Sequence, residues 1–303
     1  MDEHETLKSE LRESRRRFLE QVAALRPELH RYCARMTGSV ADGEDIVQET
    51  LARAYYMLPE LQQWPALRPW LFRIAHNRCI DHLRRYDVRM AEPLDAVQDS
   101  AADPLPDPGE ALAREQAVHA AVSRFVELAP AQRSCVILKD VLGHSLEEIA
   151  ALLELSLPAV KAALHRGRER LQQRQAAPAA QAMPLLPASP AVARYATLFN
   201  ARDWDGVRAL LAEDVQLDLV SRARRYGRRE VGEYTWNYDQ IHDWHLVPAW
   251  LEGCEVLAVT RAAGAVEIVY FIELEFRAGQ VARIRDFRYV PYILQEAVIQ
   301  RAG

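Results

Sequence analysis

The stretch SLEEIAALLELSLPAVKAALHRGRERL, Ser145 to Leu171, decides how the first half of this chain is read. Ser145 is followed three residues later by Glu148. That is the spacing of a capping box, in which the serine oxygen takes the Glu148 N–H and the glutamate reaches back to the serine N–H. The predicted helix, Leu146 to Leu153, presents Leu146, Ile149, Ala150 and Leu153 on one face. A short turn follows at Glu154-Leu155. Ser156 is placed to cap a second helix, and Pro158 is tolerated in its first turn. Val160, Leu164 and Leu171 give that helix an apolar stripe, and its other faces carry Lys161, His165, Arg166, Arg168, Arg170 and Arg174. From Ser156 to Gln175 five basic residues stand against one acidic residue. A capped helix, a short turn and a capped basic helix predict a helix-turn-helix whose second helix enters a major groove. A solvated basic helix would show the same charge run, and it is the two caps and the turn that favour DNA binding.

Working outward, two proline-rich stretches divide the 303 residues. Glu92 to Gly109, EPLDAVQDSAADPLPDPG, holds five acidic residues, four prolines and no basic residue, and reads as a flexible acidic linker (92–109). Ala176 to Pro190, AAPAAQAMPLLPASP, also holds four prolines and reads as a semi-rigid spacer (176–190). Three domains are expected: 1–91, 110–175 and 191–303. The first two are expected to be all-α. The third opens with helices at Ala191–Asn200 and Trp204–Ala212, followed by strand patterns at Val215–Val220, Cys254–Thr260, Val266–Phe276 and Gln280–Tyr289. Helices followed by strands predict an α+β domain. Of the 24 aromatic residues 15 fall in this block, which fits a curved, mainly antiparallel sheet around an aromatic interior.

Composition bounds the function. Half the residues are hydrophobic and 27% are charged, a globular balance. No apolar run reaches the roughly 18–20 residues that span a bilayer, and Val266–Phe276 is broken by Glu267, Glu273 and Glu275. The charged N-terminus carries no apolar stretch of a secretory signal. Cys33, Cys79, Cys135 and Cys254 form no CxxC pair or zinc spacing, and are expected as reduced core thiols in a cytoplasm. Net charge is −5, which argues against a nucleic-acid partner until its distribution is considered. The basic residues are 35 Arg and 3 Lys, and Arg forks suit phosphate and guanine.

The first block carries an acidic-capped amphipathic helix, DGEDIVQETLARAY from Asp42, then a loop between Pro59 and Pro69, then RPWLFRIAHNRCIDHLRR from Arg68. In the last segment Leu71, Ile74, Ala75, Ile80 and Leu83 alternate with aromatic, amide and Arg side chains. Aromatics beside Arg suit unstacked single-stranded bases. These stretches, with LAPAQRSCVILKDVLGHSLEEIAALLELSLPAVKAALHRGRERL, resemble the sigma-70 family, specifically the extracytoplasmic-function (group IV) sigma factors.

The resemblance implies a promoter-specific initiation factor without catalysis of its own. It implies core RNA polymerase as partner, through the β′ clamp helices and the β flap, and promoter DNA as target. Asp45, Gln48 and Glu49 match the surface that docks on the clamp helices. Trp70, Arg73 and Asn77 match the part that opens the −10 element, with the Pro59–Pro69 loop shaping the base pocket. Lys161, Ala162, His165, Arg166 and Arg168 match positions that meet the −35 element. Ala162 and Ala163 stand where the family often has Ser and Arg, and Trp64 is atypical of the loop. Trp70 and Phe72 fit a core equally well, and Asp45 and Glu49 fit a solvated helix face.

In the third block, VARYATLFNARDWDGVRALLAEDVQLDLV resembles the start of SnoaL-like domains, whose cone shape serves enzymes and binding modules alike. The fusion implies that this domain modulates the sigma domains in cis, through a small-molecule or protein ligand. Tyr234, Trp236, Tyr238 and Trp244, with Trp250, are the candidate pocket, and sheet packing is the alternative for each. Asp218, Asp286, His242 and His245 are acid–base candidates without an assembled pair. Asp239, His242, Asp243 and His245 lack a third strong ligand, so neither metal nor cofactor is expected. Two rivals stand beside this reading: a stand-alone helix-turn-helix regulator, and a cyclase or isomerase with a DNA-binding appendage.

Overall fold

The structure, a computed structural model, describes residues 3–58, 66–90, 117, 120–176, 186–239 and 243–303, and the side chains of 3–15, 17, 86–90, 174–176 and 235–239 fall outside that description. Acidic linker 92–109 lies wholly outside the described residues, as do 59–65 of the Pro59–Pro69 loop and 177–185 of the spacer. The chain forms two compact units, Met1–Ala179 and Ala180–Gly303.

The first unit is helical: α1 (Glu3–Thr37), α2 (Val40–Met57), α3 (Leu67–Met90), a 3-10 turn (Val122–Glu127), α4 (Pro130–Val136) running into a π-turn (Ile137–Val141), α5 (Leu146–Leu153) and α6 (Leu157–Ala176). Helix α1 buries Phe18, Val22, Leu29, Tyr32 and Met36, with Leu25 packed alongside. Their steps of three and four residues draw one apolar stripe along the helix. Gly43 lets α2 cross α1 closely, since a Cβ there would stand 2.6 Å from the Ala34 backbone. Helix α3 begins at Leu67, not at Trp70, so Leu67, Arg68 and Pro69 of the expected loop form its first turn. Pro69 is accommodated there because first-turn N–H groups have no intrahelical acceptor.

One hydrophobic cluster runs from Phe18 to Leu171, so blocks 1–91 and 110–175 share a core. Phe72 of α3 sits at its centre, edge-on to Tyr32 at 5.7 Å and to His144 at 5.4 Å between ring centroids. Burying a ring of this size contributes about 1.5–3 kcal/mol. Arg133 of α4 joins the blocks through polar contacts. It donates to the Met36 carbonyl, and to the carbonyls of Val126 (2.8 Å) and Leu128 (2.9 Å).

The second unit is α+β: α7 (Pro190–Asn200), α8 (Trp204–Leu210), β1 (Leu211–Leu219), β2 (Ala223–Tyr226), α9 (Arg228–Asp239), β3 (His245–Leu251), β4 (Cys254–Thr260), β5 (Tyr270–Arg277), β6 (Gln280–Asp286), a 3-10 turn (Pro291–Gln295) and β7 (Ile299–Arg301). The seven strands form one sheet in the order β2-β1-β6-β5-β4-β3-β7. Only β1/β6 is parallel, so the sheet is mainly antiparallel as expected. Leu217, Leu219, Leu246, Leu257, Ile272 and Ile284 join the cluster that Val192, Phe199, Trp204 and Val207 of α7 and α8 cover. Residues at the alternate positions point to the other face. There Glu273–Arg285 (2.9 Å) and Glu275–Arg283 (3.2 Å) make a cross-strand charge ladder.

Four expectations for this unit are corrected. Cys254 is exposed at the start of β4, not a core thiol, because the strand turns inward only from Val256. The second helix stops at Leu210, because Leu211 already pairs with Val281. Strands β2, β3 and β7 and helix α9 add to the four strands expected. The spacer's last residues belong to the sheet unit: the Ser189 N–H meets the Glu255 carboxylate, and the Trp250 indole donates to the Leu186 carbonyl at 3.0 Å.

Candidate nucleic-acid interface

The helix-turn-helix is built as its caps dictate. Ser145 Oγ accepts from the Glu148 N–H (3.1 Å), and the Glu148 carboxylate accepts from the Ser145 N–H (2.8 Å). That backbone bond is the main reason the Glu148 carboxyl lies below its ordinary pKa. Glu154 ends α5 in the left-handed region, at φ 58°. Ser156 Oγ then accepts from the Ala159 N–H at 3.3 Å and starts α6.

On α6, Lys161 and His165 are exposed one turn apart. Ala162 and Arg166 are half-buried, and Ala163 and Leu164 face the core. Arg168 is engaged within the protein: Nε and Nη2 donate to the two oxygens of Asp140 at 2.9 and 2.6 Å. The sequence pattern placed Arg168 with Lys161 and gave no signal for Asp140.

Trp70, Arg73 and Asn77 lie along one side of α3, at i, i+3 and i+7. Trp70 is half-buried and packs on the helical core, and Asn77 is exposed. Arg73 donates to the Ala151 carbonyl of α5 at 3.1 Å, and stands 3.9 Å from the Glu154 carboxylate. The neighbouring His76 is lodged between the blocks: its Nδ1 lies 2.8 Å from Tyr32 Oη and 3.5 Å from Ser134 Oγ. Burial lowers its pKa to about 4, so it is neutral.

Asp45, Gln48 and Glu49 form an i, i+3, i+4 set on α2. Glu49 is exposed, and Asp45 and Gln48 are half-buried. Behind them the buried Glu44 is bound by Arg26 at 2.5 Å and by Gln48 at 3.3 Å. This set leaves Glu49 as the carboxylate most open to a partner.

In the second unit two of the four pocket aromatics, Tyr234 and Trp244, have described side chains. Trp244 is buried edge-on to Tyr270 at 5.3 Å, with the Arg261 guanidinium 4.2 Å from its ring centroid. Tyr234 is half-buried on α9, and the side chains of Trp236 and Tyr238 lie outside the described residues. A cleft of about 650 Å³ is lined by Arg208, Glu213, Arg228, Arg229, Gly232 and Glu233. Asp218 is paired with Arg224 (3.7 Å) and Arg283 (3.8 Å), and His245 Nε2 meets Asn200 at 3.4 Å. Asp286 is buried in β6, and His242 lies outside the described residues. Among the described residues no three His, Cys, Asp or Glu side chains converge as a metal site requires.

Two family models match the helical unit: Sigma-70 region 2 over residues 21–89, and Sigma-70, region 4 over residues 120–171. The chain is 35% identical over 221 residues to the ECF RNA polymerase sigma factor SigG of Mycobacterium tuberculosis, covering 64% of this chain and 58% of that one. It thus spans under two thirds of that relative's length. It is 34% identical over 158 residues to the ECF RNA polymerase sigma factor SigF of Caulobacter vibrioides, covering 52% of this chain and 84% of the relative. Among solved structures it is similar to the extracytoplasmic function sigma factor SigJ of Mycobacterium tuberculosis, at 22% identity and a TM-score of 0.36, over 88% of this chain and 95% of that one.

Proposed function

This chain belongs to the ECF RNA polymerase sigma factors, and from that premise we propose that it joins core RNA polymerase and directs it to a subset of promoters. The observation that carries the proposal is the match of both sigma-70 regions, in order, to one helical unit that ends in a capped helix-turn-helix. Exposed Glu49, with Asp45 and Gln48, supports an acidic docking edge for the β′ clamp helices. Region 4 would meet the β flap. Trp70, Arg73 and Asn77 would take the −10 strand, where a half-buried aromatic beside Arg and amide groups suits an unstacked base. Lys161 and His165 would read the −35 major groove, with Ala162 and Arg166 beside them.

The α+β unit is assigned as a SnoaL-like module that modulates the helical unit in cis rather than a catalyst. Asp218 is tied up in ion pairs, which suits a structural role better than acid–base chemistry. No described helix is long and apolar enough to cross a membrane.

The test is transcription by core polymerase with the full chain added, on a library of promoter fragments. Specific starts that vanish when −35 or −10 base pairs are changed are the expected result. A chain that binds duplex DNA but neither binds core polymerase nor starts transcripts would instead be a stand-alone regulator.

A further inference from the structure

We infer that Asp140 and Arg168 form a clasp that sets the roll of the recognition helix α6, so that Arg168 is a positioning residue and not a DNA contact. The inference rests on reading α6 as the −35 helix. Seven residues separate Arg168 from Lys161, so helical periodicity puts both on nearly the same side. A free Arg168 would therefore face the groove beside Lys161. Instead its guanidinium is folded back onto Asp140 through two parallel bonds of 2.9 and 2.6 Å. The Asp140 side chain is 1% exposed and that of Arg168 13%. A two-point fork between planar groups fixes orientation as well as distance.

Asp140 owes its place to the π-turn Ile137–Val141, closed by the Leu142 N–H on the Ile137 carbonyl at 3.0 Å. Such a turn holds more residues than an α-turn and offsets the side chains after it from the face that α4 sets. Insertions of this kind recur at functional sites. The adjacent Gly167 supplies the second fixed point. A Cβ there would lie 2.6 Å from Val136, so α6 rests directly on α4. Gly167 sets how near α6 lies to α4, and Arg168 sets how it is rotated. Side-chain tips about 6 Å from a helix axis move roughly 1 Å for each 10° of roll. A shift of that size breaks a hydrogen bond to a base edge. Lys161 and His165 thus depend on a contact made up to two turns away.

The test uses the full chain with core polymerase, on a promoter it selects and on templates with single −35 base pairs changed. Binding of the complex is followed at increasing salt. Asp140→Asn and Arg168→Met are each expected to remove most of the discrimination, roughly tenfold for a well-read base pair. The double variant loses no more than either alone. Core affinity and salt slope keep their wild-type values, because no phosphate contact has gone. Asp140→Asn keeps the volume and leaves no buried carboxylate, which covers the case in which Arg168→Met fails to fold. If Arg168→Met lowers the salt slope by about one while Asp140→Asn keeps full discrimination, Arg168 touches DNA and the inference is overturned. If Asp140→Asn loses core binding along with discrimination, the pair only keeps the unit folded, and the inference also falls. Equal wild-type output from native and altered −35 templates would sink the −35 reading itself. Amide exchange in the full chain then decides the clasp. Faster exchange confined to α6 in Asp140→Asn supports it, and unchanged exchange overturns it.

Discussion

The two units place their charges differently. In the helical unit the carboxylates of Glu44 and Asp140 are buried and held by Arg26 and Arg168, and buried Arg133 takes three backbone carbonyls. In the sheet unit most pairs, such as Glu275–Arg283, Arg277–Asp214 and Arg225–Glu230, lie towards the surface, and the buried Arg285 is paired with Glu273 across neighbouring strands. The contrast follows from how each kind of element finds its neighbour. Strands are registered by a backbone ladder, and that ladder fixes their orientation without side-chain charge. Helices satisfy their own backbones, so packing and a few directional side-chain bonds must fix how one sits on the next. Buried charge in the helical unit therefore orients elements, and the exposed pairs of the sheet unit add little.

The largest effect should come from contrasting the two kinds of charge directly. Arg133→Met leaves three carbonyls without their donor and should cost about 3–5 kcal/mol. Glu275→Gln, in an exposed pair, should cost under about 1 kcal/mol. Urea melts of the full chain, followed by a helical and a sheet signal, measure both. Equal costs would break the comparison.

A smaller effect sharpens it through pH. His76 sits neutral between the helical blocks, with its pKa lowered by burial from 6.5 to about 4. The unfolded chain therefore binds the proton first as pH falls. The stabilising contribution is complete above about pH 6.5 and declines towards pH 4, by roughly 1.4 kcal/mol per unit and about 3 kcal/mol in all. Burial also lowers the pKa of His144, at the same junction, so the two act in the same direction. His76→Gln should flatten the slope of helical-unit stability between pH 6.5 and 4. A slope that this substitution leaves untouched would place the titration elsewhere.

What could be read in advance followed the range of the interaction. The Ser145–Glu148 box, the Glu154 turn and the Ser156 cap span four residues or fewer, and each is where the sequence placed it. The face carrying Trp70, Arg73 and Asn77 follows from helical spacing alone. The Asp140–Arg168 clasp and the His76–Tyr32–Ser134 junction join residues 28 or more apart, and no local pattern marks them. In the sheet unit, Cys254–Thr260 is legible because Val256–Thr260 is a continuous apolar and β-branched run. Strand β3 is hidden by Pro248, a residue that argues against an inner strand. The Pro248 carbonyl takes the Ala302 N–H at 2.9 Å, so the Pro248 nitrogen also faces the β7 side, beyond the last paired residues Ala249 and Arg301, and no ladder donor is lost. Strands β2 and β7 have four and three residues, too few for an alternation to register. Trp244 is buried, and a buried core aromatic and a pocket aromatic carry the same sequence signal.

On the proposed function, the helical unit carries promoter-directed initiation and the α+β unit adjusts it. The most direct measurement compares transcripts made by core polymerase with the full chain and with a version ending at Ala176. Both forms should start at the same promoter positions, in different amounts. Absence of specific starts from both forms, although both bind core polymerase, would contradict it.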